Sequence, residues 1–295
     1  MAVLPDGSAV RTVEDIRDYY VDMTAVYTAH GVGTDGWHVG LWEPGVTTHA
    51  EALLASNRRL VDGLLLDAKS QWLDAGCGVG GLAIWAARTF GCRVTGITLV
   101  PRHVVQARIA AALAGVGHLC TFECMDMAEL AFPDATFDVV TNQESWCHTW
   151  DKRHYLRQVY HVLRPGGHWR AVDTAIREKP LPARAERRQQ EVCAGWHLFP
   201  WPPRGEVEQM TREVGFLPEA SEDLTERVLP HVRAWFGAGS GPARAAWRRQ
   251  FAGDARGAAN YRAHVRASRA FALGLTYGYF EYFRYGAVKP PAGHP

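Results

Sequence analysis

Between Gln71 and Ile176 the sequence alternates short apolar runs of strand length with stretches of helical pattern. The strand-like runs are QWLDAG, CRVTGITL, CTFECM, FDVVTN and GGHWRAVDTAI, and the helical stretches between them include LAIWAARTF, VVQARIAAALAG and KRHYLRQVYHVL. Strands separated by helices form right-handed crossovers and therefore predict an α/β core with a parallel, doubly wound sheet. Ligands of such sheets bind outside the carboxyl ends of the strands, so the residues at strand exits are the first candidates for a functional site.

The segments that flank this core have other patterns. Residues 12–30 and 48–68 have helical spacing and predict N-terminal helices. Residues 177–204 are rich in arginine, proline and tryptophan and are too long for an ordinary crossover, which predicts a cap over the site. Helical, arginine-rich sequence then leads to FALGLTYGYFEYFRYGAVKP, whose alternating aromatics predict an antiparallel C-terminal edge strand. We therefore divide the chain into an N-terminal helical segment (1–68), a core (69–176) and a substrate cap with the last strands (177–295).

Composition argues against several classes of protein. The 32 basic and 31 acidic side chains give a net charge of +1, which is too balanced for a protein that coats nucleic acid. No apolar stretch reaches the roughly 18 residues of a membrane helix, and the first residues lack a signal pattern, so we expect a cytoplasmic protein without integral membrane contact. The six cysteines form no CxxC pair, and no metal site is predicted from them. The aromatic edge strand is compatible with a homo-oligomer.

The segment Trp72–Gly81, WLDAGCGVGG, is the most informative part of the core. An apolar strand runs through Asp74 into three alternate glycines, Gly76, Gly78 and Gly80, and a helix follows. Glycines at these positions let the backbone approach a ligand closely, and an acid at the strand end binds a cation or a hydroxyl group. The spacing is G-x-G-x-G, which differs from the G-x-G-x-x-G of dinucleotide-binding dehydrogenases. A dehydrogenase turn remains the structural alternative.

Four motifs in order make the chain resemble the class I S-adenosylmethionine-dependent methyltransferases. The glycine segment is similar to their first motif, E/D-x-G-x-G-x-G, and it is followed by Asp126-Met127, by FDVVTNQES and by LRPGGHW. The resemblance covers residues 70–176 and implies a Rossmann-like doubly wound fold with S-adenosylmethionine as cofactor. The segment Gly96-Ile97-Thr98-Leu99 is similar to the branch that contains tocopherol, sterol and sarcosine methyltransferases, cyclopropane synthases and prenyl diphosphate (geranyl diphosphate) C-methyltransferases.

The resemblance implies a set of cofactor-binding residues. Asp74 and the three glycines would surround the methionine end, while Asp126 and Met127 would contact the adenine. Many family members bind the ribose hydroxyls with an acid at the end of strand two, where this chain has Thr98, and His103 stands where the branch has a glutamine. The N-terminal Asp18-Tyr19-Tyr20 and the segment from Gly36 to Trp42 are similar to parts that close over the cofactor. This carries over the cofactor-binding residues Tyr20, Trp37, Asp74, Gly76, Gly78, Gly80, Thr98, His103, Asp126, Met127 and Gln143.

Glu144 and His148 are the candidate catalytic residues, because both follow the fourth strand and should face the transferred methyl group. In carbon-methylating members of the branch an acid at this place is implicated in proton abstraction or cation stabilisation. The resemblance thus implies methylation of an alkene carbon of a prenyl group or prenyl diphosphate in terpenoid (specialised) metabolism, with Glu144 taking the proton and His148 orienting Glu144 or acting on the substrate. A small-molecule N- or O-methyltransferase and a methyltransferase-fold cyclase are the alternatives.

The sequence after residue 176 predicts the substrate side of the site. Its aromatics would line an apolar pocket for an isoprenoid, and its arginines would bind a diphosphate or carboxylate. If the substrate is a free diphosphate, Mg²⁺ should be required, since the ion would neutralise phosphate charge. The aromatics include Trp196, Phe199, Trp201, Trp235, Phe236 and Tyr282, and the arginines are Arg184, Arg187, Arg188, Arg204, Arg212, Arg233, Arg244, Arg248 and Arg249.

Overall fold

The computed structural model describes residues 11–27, 36–177, 180–234 and 251–293, and its centre is a sheet of eight strands. Five of these strands are parallel and stand in the order β3-β2-β1-β4-β5. The predicted parallel, doubly wound α/β core is therefore confirmed. The five strands are β1 (Gln71–Ala75), β2 (Arg93–Thr98), β3 (Cys120–Cys124), β4 (Phe137–Gln143) and β5 (Leu163–Ile176).

Neighbouring residues of β1 point to opposite faces of the sheet, and helices cover both faces. Trp72 packs into one apolar cluster, with residues of helices α3 (Gly81–Phe90) and α4 (Pro101–Leu113). Leu73 packs into the other cluster, with residues of α5 (Lys152–Val162). A strand that is buried on both sides is typical of a parallel sheet between two helical layers, and it explains the continuous apolar runs in the sequence.

Two N-terminal helices precede the sheet. In α2 (His49–Leu60), the Thr48 side chain accepts from the backbone N–H of Glu51, and the Glu51 side chain accepts from that of Thr48. The predicted extension of this helix to residue 68 is wrong, because the chain turns at Gly63, which has a φ of +79°. The other helix, α1 (Val13–Tyr27), packs against a long C-terminal helix, and residues 28–30 of its predicted range lie outside the described part of the chain.

The C-terminal part adds four helices and three strands among the described residues. Strand β8 runs antiparallel to β5, as predicted, and the two-residue strands β6 and β7 pair along its outer side. The first residues of the final aromatic run belong to a helix, where Phe271 and Leu275 are buried on its last turns. The strand therefore starts later than predicted. Residues 235–250 of the predicted helical stretch lie outside the described ranges. The elements are α6 (Ala183–Trp196), α7 (Arg204–Val214), β6 (Leu217–Pro218), β7 (Glu222–Asp223), α8 (Thr225–Val232), α9 (Ala255–Thr276) and β8 (Phe280–Val288).

The sheet brings two strand exits side by side. Strands β1 and β4 are direct neighbours, with Asp74 paired to Thr141 in the register. The glycine segment therefore leaves the sheet beside the segment that contains Glu144. Among the helices of the described ranges, none is both long and apolar enough to cross a membrane. All six cysteines are free thiols.

Gly80, at the start of α3, packs closely against Ala107 and Phe122, and a larger side chain there should destabilise the protein. Its φ is +89°, and an added Cβ would lie 2.9 Å from the Cβ of Ala107 and 3.0 Å from the ring of Phe122. We expect Gly80→Ala to lower the free energy of unfolding by about 2–4 kcal/mol, from backbone strain together with overpacking. The measurement is urea denaturation without added ligand.

Gly63→Ala is the matched control for this prediction. Gly63 has a similar φ of +79°, but no other atom lies within 4 Å of an added Cβ. It should lose only the backbone contribution, about 1 kcal/mol. Equal losses in the two variants would contradict the close packing of Gly80.

Candidate functional site

The turn after β1 presents its backbone to an open space. Gly76 and Gly78 have φ values of +88° and +53°, and the N–H groups of Gly76 and Cys77 both donate to the carbonyl of Ile97, at 3.0 and 2.8 Å. A side chain on Gly76 would collide with Ser145, whereas no atom lies within 4 Å of a Cβ placed on Gly78. The first glycine is thus required by packing, and the second leaves room for a ligand against the main chain.

A cavity with about 820 Å³ of empty space, partly open to solvent, lies against this turn. Its wall combines α1, the segment around Trp37, the exits of β1, β2 and β4, and the start of α4. Eleven of the thirteen predicted site residues line it, namely Tyr20, Trp37, Asp74, Gly76, Gly78, Thr98, His103, Met127, Gln143, Glu144 and His148.

The two other predicted residues, Gly80 and Asp126, do not line the cavity. Gly80 packs against Ala107 and Phe122, as described above, and does not face the cavity. The carboxylate of Asp126 accepts a hydrogen bond from the backbone N–H of Ala128 at 2.9 Å, which closes the turn after β3. Only its neighbour Met127 reaches the cavity. A contact between Asp126 and the adenine stays a prediction.

Asp74 is a buried carboxyl group with one oxygen unsatisfied. Its side chain is only 2% exposed, Thr141 donates to Oδ1 at 3.5 Å, and Oδ2 makes no hydrogen bond within the described ranges. Burial raises the pKa of Asp74 to about 7, against a smaller lowering by Thr141. A cationic partner would relieve this arrangement. The ammonium group at the methionine end of the predicted cofactor therefore fits, since it would sit between Asp74 and the open backbone at Gly78.

Glu144 is a half-buried carboxyl group at the cavity, and its backbone is strained. Its φ is +52°, a backbone conformation that residues other than glycine adopt at an energetic cost. Its N–H donates to the carbonyl of Val172 at 2.9 Å. Oε1 accepts from the N–H of Val39 and from the hydroxyl of Tyr282, both at 2.6 Å. Oε2 makes no hydrogen bond in the described part of the chain, so it is available to a ligand in the cavity.

The environment of Glu144 places its proton equilibrium near neutral pH. Burial raises the pKa of Glu144 to about 7, and the two donors hold it below the value that burial alone would give. A carboxyl group with a pKa near 7 can both accept and donate a proton at neutral pH, which suits general acid–base chemistry. From the sequence, Tyr282 is predicted only as an aromatic of the pocket. The alternation of residues along β8 does not indicate which hydroxyl group contacts Glu144.

His148 lines the cavity with both ring nitrogens engaged. Nδ1 lies 3.1 Å from the carbonyl of His197, which only accepts, so Nδ1 carries the proton. Nε2 is then the acceptor for the hydroxyl of Tyr20, at 2.8 Å. Burial lowers the pKa of His148 to about 4, so the ring is neutral at pH 7. The structure thus connects His148 with Tyr20 rather than with Glu144.

Hydrogen bonds beneath the cavity hold the two strand exits together. Asn142 Nδ2 donates to the carbonyl of Ala75 at 3.1 Å, and the hydroxyl of Ser145 donates to the same carbonyl at 2.6 Å. Tyr155 and Trp169 both donate to Oδ1 of Asn142. The side chain of Gln143 instead donates a hydrogen bond to the side chain of Asn57 on α2, at 2.9 Å. The glycine turn and Glu144 are therefore held at fixed separation.

Tyr20 and Trp37 of the N-terminal part line the cavity, and together with Tyr27 they form an aromatic cluster that we call the roof. Tyr27 stacks on Trp37 with ring centroids 5.0 Å apart, and Trp37 meets His103 edge to face at 4.9 Å. Tyr20 contacts His148 edge to face at 5.4 Å. Helix α1, which holds two of these rings, is tied to α9 by the hydrogen bond of Tyr19 to His264 at 2.8 Å.

The predicted arginine clamp is not found along the described wall of the cavity, whose lining residues include no arginine or lysine. Arg204 lies over the ring of Phe283, Arg188 lies over that of Tyr277, and Arg212 pairs with Glu208. The remaining arginines of the set are exposed (Arg184, Arg187, Arg233) or lie outside the described residues (Arg244, Arg248, Arg249).

The predicted cap aromatics serve mainly as core. Trp196, Phe199 and Trp201 are absent from the described lining of the cavity. Trp196 and Trp201 instead pack against the rings of Phe271 and Phe280. Their bulk is needed where α6 and α9 cover the sheet, and the sequence does not distinguish that burial from a pocket wall. Trp235 and Phe236 lie outside the described residues.

The donor set for Mg²⁺ is equally sparse. Within the described ranges, no group of three histidine, cysteine, aspartate or glutamate side chains could hold a metal ion. The carboxyl groups on the described wall are Asp74, beneath the glycine turn, and Glu144, which already accepts two hydrogen bonds. These residues do not fit a magnesium diphosphate site.

Comparisons with known proteins agree with this geometry. A family model of the methyltransferase domain matches residues 73–170. The 27-O-demethylrifamycin SV methyltransferase of Amycolatopsis mediterranei (strain S699) is 36% identical over 194 residues, which are 65% of this chain and 71% of that protein.

Two solved structures show the same fold. The [4+2]-cyclase SpnF superposes with a TM-score of 0.81 at 23% identity, covering 99% of this chain and 100% of that one. The geranyl diphosphate C-methyltransferase of Streptomyces coelicolor A3(2) superposes with a TM-score of 0.74 at 19% identity, covering 95% and 99%. With the glycine turn, the strand order and these matches together, the chain belongs to the class I S-adenosylmethionine-dependent methyltransferases.

Proposed function

We propose that this enzyme methylates an alkene carbon of a prenyl group on a larger, uncharged metabolite of terpenoid or other specialised metabolism, and that Glu144 accepts the proton released. The observation that carries the proposal is the carboxyl group of Glu144, which faces the cavity with Oε2 available and Oε1 fixed by Val39 and Tyr282. A carboxyl group with a pKa of about 7 takes up a proton at neutral pH and releases it afterwards.

S-adenosylmethionine, when bound, supplies a methyl group on a positively charged sulfur. Asp74 and the glycine turn would hold its methionine end, because the buried carboxylate favours an ammonium group and the main chain at Gly78 leaves room for it. We assign the segment 1–68 the role of closing over the cofactor, since Tyr20 and Trp37 roof the cavity. Enclosure by these rings excludes water and keeps the reacting groups aligned.

The proton balance explains why a base is needed. The π electrons of the alkene form the new carbon–carbon bond, and the electron pair of the broken carbon–sulfur bond stays on sulfur. The substrate is left as a carbocation, which becomes neutral when a neighbouring carbon loses a proton to Oε2 of Glu144. The rings of Tyr20 and Trp37 line the cavity, and an aromatic face turned to a nearby cation would stabilise it by about 0.5–2 kcal/mol. Residues 177–295 would supply the substrate cap.

The charges on the wall favour an uncharged substrate over a free diphosphate. The described lining has no cationic side chain and no magnesium ligand set, whereas its charged groups are carboxyl groups. A diphosphate would meet no compensating charge there, and its burial would be costly. Of the two prenyl substrates considered, a prenyl group attached to a larger metabolite is therefore the better match.

Oxygen methylation is the second candidate, and one observation favours it. The relative that is 36% identical is named as a methyltransferase of 27-O-demethylrifamycin SV, which is methylated at oxygen. The same Glu144 would then take the proton of a hydroxyl group. A methyltransferase-fold cyclase is the third class to be tested, because SpnF shares the fold.

Glu144→Gln and a labelled cofactor test the proposal together. The enzyme is incubated with methyl-labelled S-adenosylmethionine and a panel of prenylated indoles, sterols, prenyl diphosphates, phenols and amines. We expect label on carbon of a prenylated, uncharged acceptor. The variant should lose about 100- to 10,000-fold in turnover, since it lacks a general base, and should bind S-adenosylhomocysteine as the wild type does.

Glu226→Gln is the matched control, because it removes the same charge at an exposed position on α8. Label on oxygen alone would replace the alkene proposal with the second candidate, and label on nitrogen alone would contradict both. A product without label and without S-adenosylhomocysteine would indicate a cyclase. Full activity of Glu144→Gln would remove Glu144 from the mechanism.

The pH profile gives a separate prediction through Tyr282. Activity should rise with pH through about 7 as Glu144 loses its proton. The hydroxyl of Tyr282 stabilises the carboxylate, so Tyr282→Phe should raise the pKa of Glu144 and move this limb of kcat/KM to higher pH by about one unit.

Tyr285→Phe makes the same substitution on the same strand, and the hydroxyl of Tyr285 has no hydrogen-bond partner in the described ranges. Its profile should match the wild type. A limb that stays in place in Tyr282→Phe, or moves to lower pH, would contradict the role of Glu144 as the base.

A further inference from the structure

His103 lies at the cavity wall where the sheet offers no carboxylate. The end of β2 has Thr98, which accepts a weak 3.5 Å hydrogen bond from the backbone of Val100, and His103 follows on the first turn of α4. Both residues line the cavity. Any acceptor for a cofactor hydroxyl group on this side must therefore come from a neutral group.

Thr24 determines which nitrogen of His103 carries the proton. The hydroxyl of Thr24 lies 2.6 Å from the carbonyl of Tyr20, one turn earlier on α1, and 2.9 Å from Nε2 of His103. A carbonyl only accepts, so the single hydroxyl proton goes to Tyr20, and the oxygen of Thr24 must accept from Nε2–H. Nδ1 is then left with a lone pair.

The surroundings keep His103 neutral and its ring fixed. The residue is 1% exposed, and burial lowers its pKa to about 4, with a further contribution from Arg102. The rings of Trp37 and Tyr20 meet it edge to face, at 4.9 and 6.5 Å. Nδ1 makes no hydrogen bond within the described ranges, although the residue belongs to the cavity wall. An acceptor without a partner at the cavity wall can take a hydrogen bond from a ligand.

We infer that Thr24 is a positioning residue that fixes His103 as the Nε2–H tautomer, so that Nδ1 accepts a hydrogen bond from a ribose hydroxyl group of the cofactor. The inference rests on the cofactor site and is independent of which atom of the substrate is methylated. Because Thr24 belongs to α1, ribose recognition is coupled to the docking of the helix that roofs the cavity.

The test compares two ligands by calorimetry, S-adenosylhomocysteine and its 2′,3′-dideoxy analogue. We expect Thr24→Val, which has the same shape without the hydroxyl, to weaken S-adenosylhomocysteine about tenfold and to leave the analogue unchanged. Thr24→Ser should restore the wild-type affinity. His103→Phe, which removes the acceptor itself, should show the same selective loss.

Nitrogen NMR of the His103 ring supplies a readout that does not depend on binding. The wild type should show a protonated Nε2 and a bare Nδ1, and Thr24→Val should shift this balance toward Nδ1–H. Equal losses for both ligands would mean that Thr24 only supports the fold, and this would overturn the inference. A wild-type ring protonated at Nδ1, or unchanged affinity in both Thr24→Val and His103→Phe, would overturn it as well.

Discussion

Two carboxyl groups at the ends of adjacent parallel strands, one buried and one half-buried, are the constraint on which the site depends. Asp74 and Glu144 leave β1 and β4 side by side, and burial raises the pKa of each to about 7. Charged groups are costly to bury unless they are paired or hydrogen-bonded. The two differ in the oxygen that is bonded, since Oε1 of Glu144 accepts two hydrogen bonds of 2.6 Å, whereas Oδ1 of Asp74 accepts one of 3.5 Å. In the proposed function, Glu144 takes a proton and Asp74 pairs with a cation.

The parts outside the core hold these two groups in place. Val39 comes from the N-terminal segment and Tyr282 from the antiparallel strand, so Glu144 connects elements more than 240 residues apart in the chain. The same N-terminal segment supplies Trp37 to the roof, and α1 supplies Tyr20 and Thr24. Residues of the N-terminal segment thus contact both Glu144 and His103.

Local patterns in the sequence were sufficient for the core and for the position of the cavity. The strand-helix alternation and the glycine spacing are properties of neighbouring residues, so the parallel strands and the loop after Asp74 follow from them. The hydrogen-bond partners do not follow, because Tyr282, Val39 and Thr24 meet the site only through tertiary packing. For the same reason the sequence does not show that both nitrogens of His148 are engaged, or that the cap aromatics pack as core. Arginines are frequent after residue 176, but whether one of them contacts a ligand depends on its position in the folded chain, which their frequency does not show.

The most direct measurement of the central claim is the proton balance of cofactor-site binding. S-adenosylhomocysteine carries the ammonium group without the sulfonium charge, and the difference between the wild type and Asp74→Asn, titrated in buffers of different ionisation enthalpy, gives the contribution of Asp74. We expect proton release near pH 7, because an adjacent ammonium lowers the pKa of a carboxyl group that is otherwise about half protonated. Asp74→Asn should bind more weakly and release fewer protons. Binding of equal strength in Asp74→Asn, or no proton release by the wild type, would contradict the assignment of Asp74 to the cofactor.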